Sequence, residues 1–220
     1  MNNQEKISIK DRIMNPSDLV DDQGAKILIY GAAGAGKTTL CATAPGKILV
    51  IDMESGLLSV KDRTDIDVIQ VKQASEIMEI YQMLRHGELS YDTVCLDSIS
   101  EMSEILLQQE KEKHKDPRMA YGNVQESVTN VMRSFRDLHM NVVFVSKMER
   151  QNVDNVIEDQ DDDGVTIRNR WLQTDVGHGY TAKDRSGKLD DFEEANLTNV
   201  IAKLGFNTNK IIREEVQTDE

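Results

Sequence analysis

Cysteine is scarce in this sequence, which contains only Cys41 and Cys95. A disulfide framework or a cysteine-rich metal site needs more cysteines at short, regular spacings, so neither is expected. Cys41 falls in a helical pattern and Cys95 lies inside an apolar run. We interpret both as small buried hydrophobic residues.

Long hydrophobic runs are also missing. No stretch approaches the roughly 18 consecutive apolar residues that a membrane-spanning helix requires. The N-terminal sequence MNNQEKISIK lacks the positively charged segment and the apolar run of a secretory signal. We therefore expect a cytoplasmic protein with no membrane partner.

Positive charge is in short supply. The sequence has 26 lysines and arginines against 39 aspartates and glutamates, which gives a formal net charge of −13. A strongly negative surface repels phosphate, so a protein that coats nucleic acid with its whole surface is excluded and any DNA contact must be local. The acidic side chains concentrate in a predicted loop tip, Glu158, Asp159, Asp161, Asp162 and Asp163, and in a predicted tail, Glu214, Glu215, Asp219 and Glu220.

What the sequence does have is an alternation of two hydrophobic patterns. Short apolar runs predict buried strands at 26–30, 47–52, 93–97 and 141–146. Apolar residues three or four apart predict helices at 37–44, 74–86, 100–113 and 124–139. Because strands alternate with helices, we expect one α/β domain with three layers, in which a parallel sheet carries helices on both faces.

The last third of the sequence follows a different pattern. Two β-prone stretches within 152–173 flank an Asp163-Gly164 turn and predict a C-terminal β-hairpin extension. A strand near 179–182 and a helix near 193–204 are expected to close the domain. We therefore divide the chain into an N-terminal extension, a core and an acidic tail, at residues 1–25, 26–206 and 207–220.

Residues 31–38, GAAGAGKT, match the pattern G-x-x-x-x-G-K-[ST] directly after a predicted strand and directly before a predicted helix. Such a loop turns its backbone N–H groups toward phosphate oxygens, and the following helix adds its positive dipole end. Lys37 is expected to reach the β- and γ-phosphates of ATP, and the Thr38 hydroxyl to bind Mg²⁺. The alternative is a chance turn. The predicted nucleotide-binding residues are Gly31, Ala32, Ala33, Gly34, Ala35, Gly36, Lys37, Thr38 and Thr39.

Two later strands end in an acidic residue, Asp52 and Asp97, at the strand ends where parallel sheets bind ligands. We predict that Asp97 holds Mg²⁺ or its waters; the alternative is that it caps a helix. Glu54 follows Asp52 by two residues, where a carboxylate can orient the attacking water, and the alternative is a turn cap. Lys37, Glu54 and Asp97 are thus the predicted catalytic residues.

The order of these motifs resembles that of the RecA-like recombinase ATPases, especially small phage recombination and single-strand-annealing proteins, which are AAA-type NTP-binding proteins. The likeness covers most of 26–205. It implies a RecA-like core, hydrolysis of ATP in the host-cell cytoplasm, and Glu54 as the base. It also places Ser146 and Lys147 where the family keeps a γ-phosphate sensor, although the family usually has glutamine or histidine at the position of Lys147.

Residues 180–187, YTAKDRSG, are similar to a K-x-R segment of hexameric RecA-like helicases. In that family both cations reach the nucleotide of a neighbouring subunit. If the segment is a strand, Lys183 and Arg185 share one face and can act together as a finger in trans. The resemblance therefore implies self-association into a ring or a filament; the alternative is a solvated basic turn.

The same resemblance implies a DNA-binding loop at 111–122, where cations can follow a phosphate backbone and Tyr121 can stack on an unpaired base. A second candidate loop covers 147–170. For both, the alternative is solvated surface. Trp171 is a core anchor or a stacking platform, and we interpret it as core. The predicted contacts to single-stranded DNA are Lys113, Lys115, Arg118, Tyr121, Arg150, Arg168 and Arg170.

Three functions fit these observations. The first is an ATPase of DNA recombination, repair or replication that binds or anneals single strands. The second is a P-loop switch or assembly ATPase that does not act on DNA. The third is a small-molecule kinase, which usually has an arginine-rich lid, whereas the predicted hairpin here is acidic.

Overall fold

A central parallel sheet organises the structure. The computed structural model describes residues 23–114, 116–147, 184–206 and 208, and the backbone of 159–160, 166–167 and 171–173. The sheet runs in the order β1-β5-β4-β2-β3 with every pair parallel, so all carboxyl ends lie along one edge and β5 separates β1 from β4. Its strands are β1 (Lys26–Gly31), β2 (Ile48–Asp52), β3 (Ile66–Gln70), β4 (Thr93–Asp97) and β5 (Asn141–Lys147).

Helices cover both faces of this sheet, which confirms the predicted three-layer architecture. On one face, Leu96 and Phe144 contribute to a core with α2 (Ala74–Arg85), α3 (Ile99–Lys113) and α4 (Pro117–Arg136). On the other face, Val50 and Val143 pack in a second core with α1 (Lys37–Cys41) and α5 (Leu197–Leu204). Successive strand residues point to opposite faces, so each buried strand supplies both cores. Cys41 and Cys95 are free and buried in the second core, as expected.

Side chains at the helix ends fix where the helices begin. The Ser98 hydroxyl accepts a hydrogen bond from the backbone N–H of Glu101 at the start of α3, and Asp116 accepts one from Arg118 at the start of α4. Each bond satisfies a backbone donor that has no partner inside the helix. Because Ser98 is the cap, the alternative interpretation of Asp97 as a helix cap is wrong.

The strand prediction missed one element of the sheet, β3. Its sequence, IDVIQ, is short and carries a charged residue, and most of its residues are exposed at the sheet edge. A strand in that position needs no continuous apolar run. The remaining strands agree with the prediction to within one residue at either end.

Two of the four core helices differ from their predicted bounds by more than one residue. The prediction extended the first helix to residue 44, but α1 ends at Cys41. It began the fourth helix at residue 124, whereas α4 begins at Pro117. The earlier start has a physical reason, because Asp116 caps the helix and proline is well suited to the first helical position.

In the region of the predicted hairpin, β6 (Asp159–Gln160) and β7 (Thr166–Ile167) form an antiparallel pair, and the predicted Asp163-Gly164 turn lies outside the described residues. β8 (Trp171–Gln173) pairs instead with β9 (Phe192–Glu194), so the helix predicted from residue 193 begins only at Leu197. The strand predicted near 179–182, the side chain of Trp171 and most of both terminal segments lie outside the described residues. Within the described part of the chain, no helix is both long and apolar enough to cross a membrane.

Candidate nucleotide site

The loop between β1 and α1 has the backbone that the glycine-rich motif predicts. Gly34 and Gly36 take φ values of 77° and 88°, a left-handed conformation that glycine adopts without steric cost. A Cβ placed on Gly34 would meet no atom within 4 Å, so backbone conformation rather than crowding favours glycine there. The loop is largely exposed, and Thr39 is exposed in the first turn of α1.

Two side chains at the start of α1 turn toward this loop and toward β4. The ammonium group of Lys37 donates to the carbonyl oxygens of Gly31, at 3.0 Å, and Ala32, at 2.9 Å. The Thr38 hydroxyl donates to Oδ2 of Asp97 over 2.5 Å. The structure therefore brings together Lys37, Thr38 and Asp97, whose roles had been predicted separately.

Asp97 and Asp52 are partners in the register of β4 and β2 and occupy adjacent strand ends. Both are buried, with 5% and 3% of their surface exposed. Burial is the largest cause that raises the pKa of Asp97 above its usual value. The charges of Glu54 and Asp52 raise the pKa further, whereas the Thr38 hydrogen bond and the Lys37 charge lower it. The ionised form of Asp97 is therefore destabilised at this edge of the sheet.

The donor atoms at this edge fit a magnesium ion. Mg²⁺ prefers oxygen ligands and keeps several of its waters, and the contact between the Thr38 hydroxyl and the Asp97 carboxylate supplies two such oxygens. Beside them, Oδ2 of Asp52 is the one buried side-chain nitrogen or oxygen atom of the described residues that has no hydrogen-bond partner, and metal-bound water is a suitable donor for it. No cluster of three or more His, Cys, Asp or Glu suited to a metal occurs in the described residues.

Glu54 lies where β2 leaves the sheet, and its carboxylate faces neighbouring strands rather than its own turn. Its Oε1 atom accepts a hydrogen bond from the Ser98 hydroxyl and lies 3.3 Å from the ammonium group of Lys147. The side chain is 26% exposed, so it remains accessible to water. These contacts do not support the alternative that Glu54 caps a turn.

Ser146 and Lys147 lie at the end of β5, where Lys147 is in register with Gly31 of the phosphate loop. The Ser100 hydroxyl lies 3.1 Å from that of Ser146 and accepts a hydrogen bond from the backbone N–H of Lys147 at 2.9 Å. Burial lowers the pKa of Lys147, but hydrogen bonds to Glu101 and Glu54 outweigh it and raise the pKa overall. The placement beside the cradle agrees with the prediction, and a sensing role stays a prediction.

The trans-finger prediction is supported less well. Lys183 lies outside the described residues, and Arg185 is exposed in a bend rather than in a strand. The trans-finger role stays a prediction. The bend is held by Asp184, which accepts hydrogen bonds from Ser186, Lys188 and Leu189. Chiefly through the Ser186 hydroxyl, these bonds hold the pKa of Asp184 at about 2.

The segment predicted as a DNA loop is mostly helical. α3 continues to Lys113 and α4 begins at Pro117, so 111–122 forms the tip of a helical hairpin. Arg118 and Tyr121 are exposed on the first turns of α4, whereas Lys113 is paired with Glu110 at 2.8 Å. The remaining predicted contacts lie outside the described residues: Lys115, Arg150, Arg168 and Arg170.

Three residues of the site were missed as functional candidates. Asp52 had been noticed as an acidic strand end, and its strand-end position was the signal that could have placed it in the site. Ser98 and Glu101 contact Glu54 and Lys147, respectively. A serine and a glutamate at the start of a helix are ordinary capping residues, so nothing in the sequence marked them.

Comparison with known proteins identifies one related family. The sequence model of a family described as an AAA domain matches residues 23–167, about two thirds of the chain. The matched span includes the phosphate loop, Glu54, Asp97 and Lys147, but not Arg185. No curated protein matches the chain.

Proposed function

This chain belongs to the AAA domain family of P-loop ATPases, and we propose that it is a Mg²⁺-dependent ATPase that acts on single-stranded DNA in recombination, repair or replication. The observation that carries the ATPase assignment is the meeting of Lys37, Thr38 and Asp97 at the edge of the sheet, with Glu54 beside them. Isothermal titration with ATP and Mg²⁺ tests it directly, because a folded protein that takes up no nucleotide would contradict the assignment.

In this proposal each residue has a separate task. The backbone N–H groups of 32–36 and the Lys37 ammonium group bind the β- and γ-phosphates. Thr38 and Asp97 hold Mg²⁺, which supplies charge that favours transfer of the γ-phosphoryl group. Glu54 orients the attacking water and accepts its proton as the new oxygen–phosphorus bond forms and the bond to the β-phosphate oxygen breaks.

Contact with DNA is the finer part of the proposal. Tyr121 is 57% exposed and Arg118 is exposed one turn earlier on α4, so an aromatic face and a cation are both available to an unpaired base and its phosphate. Such a pair binds single strands with little dependence on sequence. We expect single-stranded DNA to stimulate ATP turnover, with a smaller effect at higher salt because phosphate contacts release counterions.

A switch or assembly ATPase that ignores DNA is the second candidate. One observation favours it: at the tip of the α3–α4 hairpin, Glu110 pairs with Lys113 and with His114 when that histidine is protonated, so part of the local positive charge is already neutralised. An active ATPase that DNA fails to stimulate at any salt concentration would support this candidate.

Self-association is proposed from the exposed position of Arg185. If Arg185 completes the site of a neighbouring subunit, the Arg185→Ala variant should be inactive alone. Mixing it with inactive Glu54→Gln should restore turnover, because the Glu54→Gln subunits supply the arginine and the Arg185→Ala subunits supply the glutamate. Absence of restoration over a range of mixing ratios would contradict a shared site.

A further inference from the structure

The contacts around Glu54 come from three separate elements. Glu54 follows β2, Glu101 lies in the first turn of α3, and Lys147 ends β5. The Lys147 ammonium group lies 3.3 Å from Oε1 of Glu54 and 3.1 Å from Oε2 of Glu101. One cation therefore bridges the predicted base and a carboxylate on a neighbouring helix.

We propose that Lys147 is a positioning residue that fixes the Glu54 carboxylate for attack by water. This inference rests on the proposed ATPase function. Lys147 and Ser98 both contact Oε1 of Glu54, and among the described residues no hydrogen bond or ion pair is made to Oε2. The two oxygens thus have different tasks, because Oε1 is anchored and Oε2 can receive the proton of water.

The lysine is itself held at both ends. Its backbone N–H donates to the Ser100 hydroxyl at 2.9 Å, and its side chain is drawn toward α3 by Glu101. A free lysine side chain has considerable rotamer freedom, and Glu101 reduces the freedom that must be lost when Lys147 contacts Glu54. Glu101 therefore acts on Glu54 through Lys147.

This role differs from γ-phosphate sensing in a measurable way. A lysine that binds the γ-phosphate contributes to ATP binding but not to ADP binding, because ADP lacks that phosphate. A lysine that positions Glu54 contributes to turnover and leaves the ratio of the two affinities unchanged.

The test compares Lys147→Met, which keeps the length of the side chain and removes its charge, with the wild-type protein. We expect kcat to fall by about 10- to 100-fold, since a misplaced catalytic group costs rate of this order. The affinities for ADP and for a non-hydrolysable ATP analogue, each measured with Mg²⁺, should keep their wild-type ratio. Lys147→Arg should recover much of the lost kcat, because a guanidinium group can still bridge two carboxylates.

A second variant keeps the inference testable if Lys147→Met does not fold. Glu101→Gln removes one anchor of the lysine and should lower kcat by about 3- to 10-fold, again without a change in the affinity ratio. The matched control is Lys203→Met. Lys203 also bridges two carboxylates, Asp190 and Glu193, but it lies on α5. Lys203→Met should hydrolyse ATP at the wild-type rate.

The possible outcomes distinguish the positioning role of Lys147 from the proposed ATPase function. Wild-type kcat in folded Lys147→Met, or in folded Glu101→Gln if the first variant does not fold, would overturn the positioning role. A selective loss of affinity for the ATP analogue would overturn it in favour of phosphate sensing. A wild-type protein that binds ATP without hydrolysing it would contradict the proposed ATPase function, and with it this inference.

Discussion

The carboxyl edge of the sheet and the tip of the α3–α4 hairpin both carry charged side chains, but they hold them in different ways. At the edge, Asp52 and Asp97 are almost fully buried, and their neighbours come from different strands and helices. At the tip, Lys113 and Glu110 pair within one turn of a single helix and Arg118 is exposed.

Burial determines whether a charged residue points to a function. A buried carboxylate has lost its hydration, so it remains only where a ligand, a cation or hydrogen bonds compensate for the loss. An exposed pair on one helix contributes only a few tenths of a kcal/mol. The edge therefore indicates a function, whereas the tip is consistent with either DNA binding or plain solvation.

The strongest test of the comparison is Lys37→Ala. We expect hydrolysis to fall by about 10³-fold or more, because the variant loses a fixed positive charge that faces the phosphates. Lys111→Ala is the control at the tip, where the ammonium group lies 6.0 Å from the centre of the Tyr121 ring, and it should keep its basal ATPase rate. Steady-state phosphate release measures the ATPase rate of both variants. Equal rates would contradict the distinction between the sheet edge and the hairpin tip.

The second-largest loss of ATP turnover is expected for Glu54→Gln. The amide keeps the shape of the side chain but cannot accept the proton of water, so turnover should fall by about 10²-fold or more. Binding of ATP with Mg²⁺ should remain, which calorimetry can measure. Undiminished turnover in this variant would take Glu54 out of the mechanism.

At the tip, Tyr121→Ala should affect DNA rather than hydrolysis. We expect affinity for single-stranded DNA to fall about tenfold, since the stacking of one base is worth about 1–3 kcal/mol, while the basal ATPase rate stays unchanged. Tyr121→Phe is the matched control because it keeps the stacking face. Fluorescence anisotropy with a labelled oligonucleotide gives both affinities, and equal binding by all three proteins would favour the alternative of solvated surface.

The smallest expected effect concerns stability and pH. Burial, followed by the nearby charges of Glu54 and Asp52, raises the pKa of Asp97 above the reference value of 3.8. The folded state therefore binds this proton more tightly than the unfolded state does, and the free energy of unfolding decreases as pH rises from 3.8 through the raised pKa. Asp97→Asn should remove that decrease.

Urea denaturation from about pH 4 to about pH 7, without Mg²⁺ or nucleotide, compares the wild-type protein with this variant. The control at the tip is Asp116→Asn, which should keep about the wild-type stability at neutral pH, because asparagine caps a helix about as well as aspartate. If Asp97→Asn shows the pH dependence of the wild-type protein, the Asp97 carboxyl group does not have a raised pKa in the folded state.

Much of the fold could be predicted because buried strands and the phosphate loop have local signatures. The runs at 93–97 and 141–146 are apolar whatever they pack against, and in GAAGAGKT the positive φ values of Gly34 and Gly36 favour glycine through backbone conformation alone. β3 has no such signature, since an edge strand need not be apolar. The start of α4 was missed because Asp116 and Pro117 were assigned to a loop, although together they form a typical helix start.

The three-layer class, the phosphate cradle and the acidic strand ends follow from the amino-acid sequence alone, because each depends on residues close together in the chain. The three-dimensional fold, in contrast, determines which side chains meet. It inserted β5 between β1 and β4, placed Asp52 beside Asp97, and brought Lys147 to Glu54 and Glu101. Strand order depends on contacts between segments far apart in the chain, so the pattern of one segment does not reveal which strands it pairs with.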